Sequence, residues 1–203
     1  MSKEGVDNSK RRFLSIAVNS VVGAVGVGFA AVPFVSYWQP SARARAAGAP
    51  VEVDISKLEE GQKVNVEWRG KPVWVVKRSQ QNLDELATLD GIVSDPASDV
   101  TSQQPDYAKN AFRAREDRKN ILVVVGICTH LGCSPTYVKA DQPHVLGDDW
   151  KGGFFCPCHG SKFDLAGRVY SGVPAPTNLV VPPHAYIDDN RIIVGVDSLE
   201  GAA

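Results

Sequence analysis

Four cysteines and two histidines lie in two short segments between positions 128 and 159. The first segment is Cys128-Thr-His130-Leu-Gly-Cys133, and the second is Cys156-Pro-Cys158-His159-Gly-Ser161. Each offers one thiolate and one imidazole, the ligands that zinc and iron–sulfur centres use, and each also holds a second cysteine. The pattern predicts a metal centre shared by two tight loops, with the extra cysteines available for a disulfide.

The composition excludes several other classes of protein. Four cysteines in 203 residues are too few for a fold built on disulfides. A net charge of −1 gives no electrostatic reason to bind nucleic acid. With 43% hydrophobic and 22% charged residues, the chain has room for one globular domain plus a tail or an anchor.

The first 40 residues differ sharply from the remainder of the chain. From Phe13 to Ala42 there is no Asp, Glu, Lys or Arg, and about 20 apolar residues are enough to cross a bilayer as a helix. Tyr37 and Trp38 end the run, as aromatic residues do at a membrane interface. The alternatives are a buried core helix, which needs a polar face that this run lacks, and a cleaved signal, for which no convincing cleavage site is present. We therefore expect an uncleaved anchor helix over residues 13–38.

The anchor is preceded by Ser9-Lys10-Arg11-Arg12-Phe13-Leu14, which resembles a twin-arginine export signal. Lys10, Arg11 and Arg12 are also positive charges next to the apolar run, and the positive-inside rule places such charges in the cytoplasm. Both interpretations predict a single-pass protein of the bacterial inner membrane. Residues 1–12 would be a cytoplasmic tail, and the head domain would lie in the periplasm.

Residues 39–50 (QPSARARAAGAP) are rich in small residues and predict a flexible hinge linker. Twelve extended residues reach about 40 Å, so residues 51–203 would form a tethered head. Within that head the patterns favour antiparallel sheets with inserted helices. The expected elements are strands at 51–55 and 121–127, hairpins at 63–77 and 186–194 (the first turning at 69–72), a helix at 83–89 capped by Asn82, and a helix or an extended basic surface at 107–118.

The two cysteine segments, the later Gly172-Val173-Pro174-Ala175-Pro176 and the anchor resemble the Rieske iron–sulfur proteins, specifically the subunit of quinol–cytochrome c reductases. This resemblance spans most of the chain. It implies a mainly β fold, a Rieske-type antiparallel β-sandwich, with a small cluster-binding subdomain at about 126–177 and one transmembrane helix.

The resemblance also implies the roles of individual residues. One [2Fe–2S] cluster would be held by Cys128, His130, Cys156 and His159. Cys133 and Cys158 would form the disulfide that joins the two ligand loops, and the segment 172–176 would pack over the cluster as a third loop. His130 and His159 would be the catalytic residues that accept a proton from quinol, and Ser161 would donate its hydroxyl to a bridging sulfide.

The ligand types explain the expected chemistry. Two ferric ions, two sulfides and two thiolates sum to zero charge when both histidines are neutral, whereas four thiolates would give −2. An electron is therefore accepted at a higher potential, roughly −150 to +300 mV against about −400 mV for plant-type ferredoxins. The free ring nitrogen of each ligand imidazole can exchange a proton, so electron and proton uptake are coupled.

Two features depart from the family pattern. Many members carry a tyrosine two residues after the serine of the second segment, where this chain has Phe163. Loss of that hydrogen bond to a ligand sulfur predicts a lower midpoint potential. The 25 residues between His130 and Cys156 exceed the usual spacing, and we place the extra length in a surface insertion over 138–151.

Three functions are compatible with two cysteine-and-histidine segments of this kind. The resemblance implies a subunit of ubiquinol–cytochrome c reductase, a translocase-type oxidoreductase of the respiratory chain that oxidises ubiquinol and reduces a c-type cytochrome. Its partners would be cytochrome b and a c-type cytochrome in a dimeric membrane complex. A Rieske ferredoxin or oxygenase component normally lacks the extra cysteine pair and the anchor. The third possibility is a structural zinc module, which would be colourless, whereas an oxidised Rieske cluster is coloured.

For the remaining candidates the packing interpretation is favoured. His144 and His184 lack ligand-like neighbours, and Trp68, Trp74 and Trp150 are expected in the core or at its rim. Leu131 is expected to cover the cluster, and Asp164 and Arg168 to stabilise the turn after the second segment.

Overall fold

The computed structural model describes residues 7–141, 146–147 and 149–199. The chain divides into two compact units between Ala46 and Ala47. His144 and parts of the predicted insertion at 138–151 lie outside the described residues.

The amino-terminal unit contains the long helix α1, Asn8–Tyr37. It begins earlier than predicted because the Asp7 side chain accepts hydrogen bonds from the backbone N–H groups of Ser9 and Lys10, which caps the helix. None of its residues is buried against another described part of the chain, although its mean hydropathy of 1.9 is that of a membrane span. By length and composition this helix could cross a membrane.

The predicted linker is not wholly extended. Residues Ala42–Ala47 form the short helix α2, and the Ser41 hydroxyl accepts a hydrogen bond from the Ala44 N–H at its start. Alanine and arginine are both good helix formers, and the sequence ARARAA satisfies this preference. The expected reach of about 40 Å is therefore too long, because a helix rises only about 1.5 Å per residue.

In the part of the chain that the structure describes, the head contains three antiparallel sheets of three strands each. Their orders are β1-β9-β8, β2-β3-β4 and β5-β6-β7. The strands are β1 Val51–Asp54, β2 Lys63–Trp68, β3 Lys71–Lys77, β4 Ile121–Val125, β5 Thr136–Val138, β6 Gly153–Cys156, β7 Ser161–Asp164, β8 His184–Tyr186 and β9 Arg191–Val194. The prediction of a mainly β chain with one amino-terminal apolar helix is confirmed.

The β2-β3-β4 sheet is the central layer, and its two faces belong to different cores. On β3, Val73 and Val75 pack with β1 and β9, whereas Trp74 and Val76 pack with the metal-binding subdomain. The same alternation runs along β4, which is buried at every position. A strand covered on both faces needs apolar side chains throughout, which explains the continuous run at 121–125.

The β2-β3 hairpin turns more tightly than predicted. Its strands pair from Trp68 with Lys71, so the connection has only Arg69 and Gly70. Both have positive φ angles, 53° and 69°, as a two-residue type I′ turn requires. Gly70 meets that requirement without strain, and Arg69 stacks its guanidinium on the Trp68 ring at 4.5 Å.

Two expectations between β3 and β4 were wrong. The helix α3 runs Gln80–Thr88, and its cap is Ser79. Asn82 is instead the third residue of the helix: its backbone N–H donates to the Ser79 hydroxyl, and its side chain accepts from the Ser79 N–H in a reciprocal capping box. Residues 107–118 form neither a long helix nor a basic surface, because they contain the 3₁₀ turns Asp106–Ala108 and Glu116–Arg118 and bury Arg113 completely.

Candidate metal centre

The first cysteine loop begins directly after the central strand β4. The Cys128 N–H donates to the Cys133 carbonyl at 2.8 Å, and the Gly132 N–H donates to the Cys128 carbonyl at 3.1 Å. Gly132 has a φ of +85°, which lets the chain reverse within six residues. These bonds fix Cys128 at the base of the loop, where it is buried, and leave His130 half-buried above it.

The second cysteine loop is the connection between β6 and β7. Cys156 is the last residue of β6 and pairs with Ser161, the first residue of β7. The Gly160 N–H donates to the Cys156 carbonyl at 3.0 Å, and Gly160 has a φ of +79°. Cys156 is buried at the base of this loop, while His159 is exposed.

The two loops bring together two buried thiols and two imidazoles, one of each from each loop. Cys128 and Cys156 are both unpaired and buried, and they lie within interaction distance of each other. The rings of His130 and His159 meet edge to face with their centroids 4.8 Å apart. The structure thus brings the two predicted thiol ligands together and the two predicted imidazole ligands together.

The structure joins the other two cysteines, Cys133 and Cys158, in a disulfide with a Cα–Cα distance of 6.7 Å. The sulfurs of Cys133, Cys156 and Cys158 lie within 4.8 Å of one another. That trio is not a ligand set, because the two sulfurs of a disulfide are not thiolates. The bridge links the two ligand loops across 25 residues of sequence.

A third loop, residues 172–177, is tied to both cysteine loops. The Ala175 N–H donates to the Ser161 hydroxyl oxygen at 3.0 Å, and the Thr129 hydroxyl donates to the Thr177 carbonyl at 2.7 Å. Val173 packs against the core that contains Cys128 and Cys156. The sequence interpretation missed the role of Thr129, although its place between Cys128 and His130 was the available signal.

The environment of the thiols suits metal ligands. Burial is the main reason why the pKa of the Cys128 thiol is raised, and the adjoining Cys156 thiol raises it further. The His130 backbone N–H and the Ser161 hydroxyl act in the opposite direction, because both stabilise a thiolate at Cys128. A buried thiol pair of this kind needs a cation to hold both sulfurs as thiolates.

The donor set therefore fits a metal centre with mixed ligands. Two thiolates and two imidazoles match both a [2Fe–2S] centre with two cysteines and two histidines and a mononuclear zinc site. The buried Ser161 hydroxyl beside the Cys128 sulfur is an additional donor near the sulfur side of the site.

The other residues singled out in the sequence lie where packing places them. Trp68, Trp74 and Trp150 are buried, and Trp74 stacks on Phe154 at 5.0 Å. Leu131 lies between His130 and Gly132 and is 72% exposed, and its predicted contact with the cluster stays a prediction. Phe163 is completely buried in the core beside the ligand cysteines.

Two further groups have structural roles. His184 is buried on β8, with its Nδ1 atom 2.9 Å from the Pro182 carbonyl. Asp164 accepts from the Ala166 and Arg168 N–H groups and forms an ion pair with the Arg168 guanidinium at 2.7 Å, so it does stabilise the turn after the second loop.

Comparison with known proteins agrees with this site. Residues 1–41 match the family model described as ubiquitinol–cytochrome c reductase Fe–S subunit TAT signal, and residues 95–183 match the Rieske [2Fe–2S] domain. The chain is 60% identical to the ubiquinol–cytochrome c reductase iron–sulfur subunit of Allochromatium vinosum, over 97% of this chain and 93% of that protein. It is 44% identical to the subunit of the same name from Rhodospirillum rubrum, over 96% of both chains.

Among solved structures, the chain resembles one from a hyperthermophilic respiratory complex III with a TM-score of 0.45 and 26% identity. That likeness covers 88% of this chain and 97% of the other. The sequence matches do not favour the zinc and ferredoxin alternatives, and the cofactor is one [2Fe–2S] Rieske cluster. The chain belongs to the family of ubiquinol–cytochrome c reductase iron–sulfur subunits.

Proposed function

We propose that this chain takes one electron and one proton from ubiquinol at the exposed end of its head and passes the electron to a c-type cytochrome. The observation that carries the proposal is the pair of imidazoles, His130 half-buried and His159 exposed, with ring centroids 4.8 Å apart on the two loops that also carry two buried, unpaired thiols. Cys128, His130, Cys156 and His159 are the proposed ligands. The group that they hold supplies a one-electron acceptor.

The protein's own residues supply the proton site. A ligand imidazole uses one ring nitrogen for the metal and leaves the other free to accept a hydrogen bond and then a proton from quinol. His159 is the more exposed of the two, so we assign the quinol contact to His159 and place His130 as the second proton site. Leu131 is 72% exposed beside them and offers an apolar contact for the quinol pocket of a partner.

The buried base of the site orients these groups. The Cys133–Cys158 disulfide holds the two histidine loops together, and the Ser161 and Thr129 bonds hold the third loop against them. With all three loops fixed, the imidazoles need no rearrangement to meet a quinol hydroxyl. The head therefore presents a preorganised surface to its partners.

The ligand assignment is tested in membranes that contain the full chain. The reduced protein should give the electron paramagnetic resonance signal of a mixed-ligand [2Fe–2S] centre, and the chain purified from those membranes should contain iron and acid-labile sulfide in equal amounts. His159→Ala and His130→Ala should each abolish that signal. His184→Asn is the matched control, because it removes an imidazole outside the site. Retention of the signal when both ligand histidines are replaced would refute the assignment.

Assembly is proposed from the names of the relatives. We place the chain in a dimeric membrane complex with cytochrome b and a c-type cytochrome, in which the second quinol electron goes to cytochrome b. The tether at 39–50 would let the head alternate between these two partners. Affinity purification through a tag on this chain should recover both haem proteins, and their absence would contradict the proposal.

The orientation follows from Lys10, Arg11 and Arg12, which precede the apolar run. Positive flanking charges stay in the cytoplasm, so the head would lie in the periplasm of the inner membrane. A protease added outside intact spheroplasts should digest an epitope tag at the carboxyl terminus, because the outer face of the inner membrane is then exposed. Digestion of the tag only after the spheroplasts are lysed would reverse the topology.

A further inference from the structure

Three arginines of the head domain are buried in the same region. Arg78, Arg113 and Arg168 are all at most 1% exposed. Their guanidinium groups donate mainly to backbone carbonyls from distant parts of the chain. The acceptors are Phe112, Leu165 and Lys119 for Arg78, Gly167 and Gln103 for Arg113, and Leu86 and Pro96 for Arg168.

Fewer carboxylates than guanidiniums are fully buried in this region of the described chain. Among the described residues Asp164 is the only carboxylate that is fully buried, and it contacts Arg168 directly. Asp90 also pairs with Arg168, but its side chain is 52% exposed and is screened by water. Among the fully buried groups, three guanidiniums therefore face one carboxylate, while the half-buried Asp95, which attracts Arg113, and the more exposed Asp90 add negative charge at the edge of this region.

These charges persist at neutral pH. Burial lowers the pKa of Arg78 and of Arg113 to about 10 in each case, and Asp164 acts in the opposite direction on both. A group with a pKa of about 10 remains protonated at pH 7. The buried guanidiniums of Arg78 and Arg113 are therefore positively charged at neutral pH.

All three arginines contact the residues at the end of β7 that is away from the second cysteine loop: Leu165 for Arg78, Gly167 for Arg113 and Asp164 for Arg168. Asp164 and Ser161 are the two ends of β7, which puts them roughly 10 Å apart at about 3.3 Å per residue. Gly167, with a φ of +73°, leaves room for the Arg113 Nη1 atom beside Leu179 and Val124. Both of those residues belong to the apolar core that also contains Cys128 and Cys156. The Arg113 guanidinium therefore lies beside the same apolar core that contains the two ligand thiols.

We propose that the buried arginines Arg78, Arg113 and Arg168 raise the midpoint potential of the metal centre, with Asp164 as the opposing charge. An added electron is attracted by positive charge, and the dry core screens that attraction poorly. At roughly 12 Å and an effective dielectric constant of about 20, one charge changes the equilibrium constant for reduction by about tenfold. The inference rests on the proposed ligand set, because it requires the centre to lie between Cys128 and Cys156.

A purely structural role for the arginines predicts different results from an electrostatic one. Arg113→Lys and Arg113→Gln both lose the guanidinium hydrogen bonds to Gly167 and Gln103, but only lysine keeps the charge. Asp164→Asn keeps an oxygen that can accept from the Ala166 and Arg168 N–H groups, and it removes the buried negative charge. Arg118→Gln is the surface control, since Arg118 pairs with the exposed Asp189.

The experiment is a redox titration of the full chain in membranes, followed by electron paramagnetic resonance at low and high salt. We expect Arg113→Gln to make reduction about tenfold less favourable, a shift of about −59 mV for one electron. Arg113→Lys and Arg118→Gln should shift the midpoint much less, and Asp164→Asn should shift it upward. The shifts at buried positions should persist at high salt, because mobile ions do not enter the core.

The result can also overturn the proposal. Equal midpoints for Arg113→Lys and Arg113→Gln, or a downward shift for Asp164→Asn, would show that loosened packing is the cause. If Arg113→Gln does not fold, Arg78→Gln and Asp164→Asn decide by the signs of their shifts. Failure of the wild-type chain to give the iron–sulfur signal would refute the proposed ligand set instead, so the two failures are distinguishable.

Discussion

The two faces of the central β2-β3-β4 sheet support two very different cores. The face toward β1 and β9 packs aliphatic side chains such as Val73, Val75 and Val123. The opposite face packs aromatic rings and the ligand cysteines, with the buried arginines close behind. The sheet therefore separates a layer that only stabilises the fold, the supportive layer, from a layer that carries the redox site.

This division has a physical advantage. The redox face must hold ligand loops, polar groups and charges, all of which cost free energy to bury. The face toward β1 and β9 holds no ligand and can stabilise the sheet by apolar burial alone, at about 25 cal/mol per Å². We conclude that stability is supplied largely on one face and chemistry on the other, and the following predictions test that separation.

The largest expected effect comes from opening the disulfide on the redox face. Cys133→Ser with Cys158→Ser removes a link across 25 residues, which the chain-entropy estimate values at about 3–4 kcal/mol. Hydrogen exchange should accelerate in both cysteine loops and remain slow in β1 and β9. Faster exchange in β1 and β9 as well would show that the two layers unfold as one unit.

A second effect of comparable size concerns the buried histidine beside the supportive layer. Burial lowers the pKa of His184 to about 4 from its usual 6.5, so the folded head binds that proton less readily than the unfolded chain does. Stability is therefore full above pH 6.5 and falls as the pH drops toward 4, by up to about 3 kcal/mol. Urea unfolding of the head between pH 7 and pH 4 measures the loss.

The control for that titration is His184→Gln, which cannot be protonated in this range. Its stability at pH 7 should be lower than that of the wild type, because the contacts with Pro182 and Tyr107 are altered. Its further loss between pH 6.5 and pH 4 should be smaller. An unchanged pH slope would assign the acid sensitivity to another group.

A matched pair of valines compares the faces directly. Val75 and Val124 are both completely buried, the first on the supportive face and the second on the redox face. Substitution of either by alanine should cost about 2 kcal/mol of unfolding free energy. Only Val124→Ala should also shift the midpoint potential, as seen in a redox titration. Equal midpoint shifts from both variants would mean that the faces are mechanically coupled.

The smallest predicted effect is at Phe163, where many relatives carry tyrosine. Phe163→Tyr places a hydroxyl in the core beside Cys128 and Cys156, and a hydrogen bond to a ligand sulfur would favour reduction. About 1 kcal/mol corresponds to a rise of tens of millivolts. Phe154→Tyr is the control, since its ring stacks on Trp74 in the same core. If Phe163→Tyr does not raise the midpoint potential more than Phe154→Tyr does, the missing tyrosine hydrogen bond does not explain a lower potential in this chain.

The sequence located the metal-binding loops because their information is local. Cysteine and histidine at short spacing define a ligand loop, and a charge-free run of apolar residues defines a span, whatever the surrounding fold. Local sequence patterns led to wrong predictions for the helix cap at Asn82 and for the structure of residues 107–118. A cap depends on where the helix actually starts, and a basic segment is buried only if distant carbonyls are available to receive it.

The sequence alone determined the ligand types, their division between two loops and the apolar anchor, since these depend on neighbouring residues. Tertiary structure decided how the three loops are tied together, which face of the sheet carries the site and where the positive charge is buried. Arg78 meets the carbonyl of Leu165, 87 positions away, and no local pattern encodes that contact. Burial of a charge is a property of everything that surrounds it, so it becomes visible only in the folded chain.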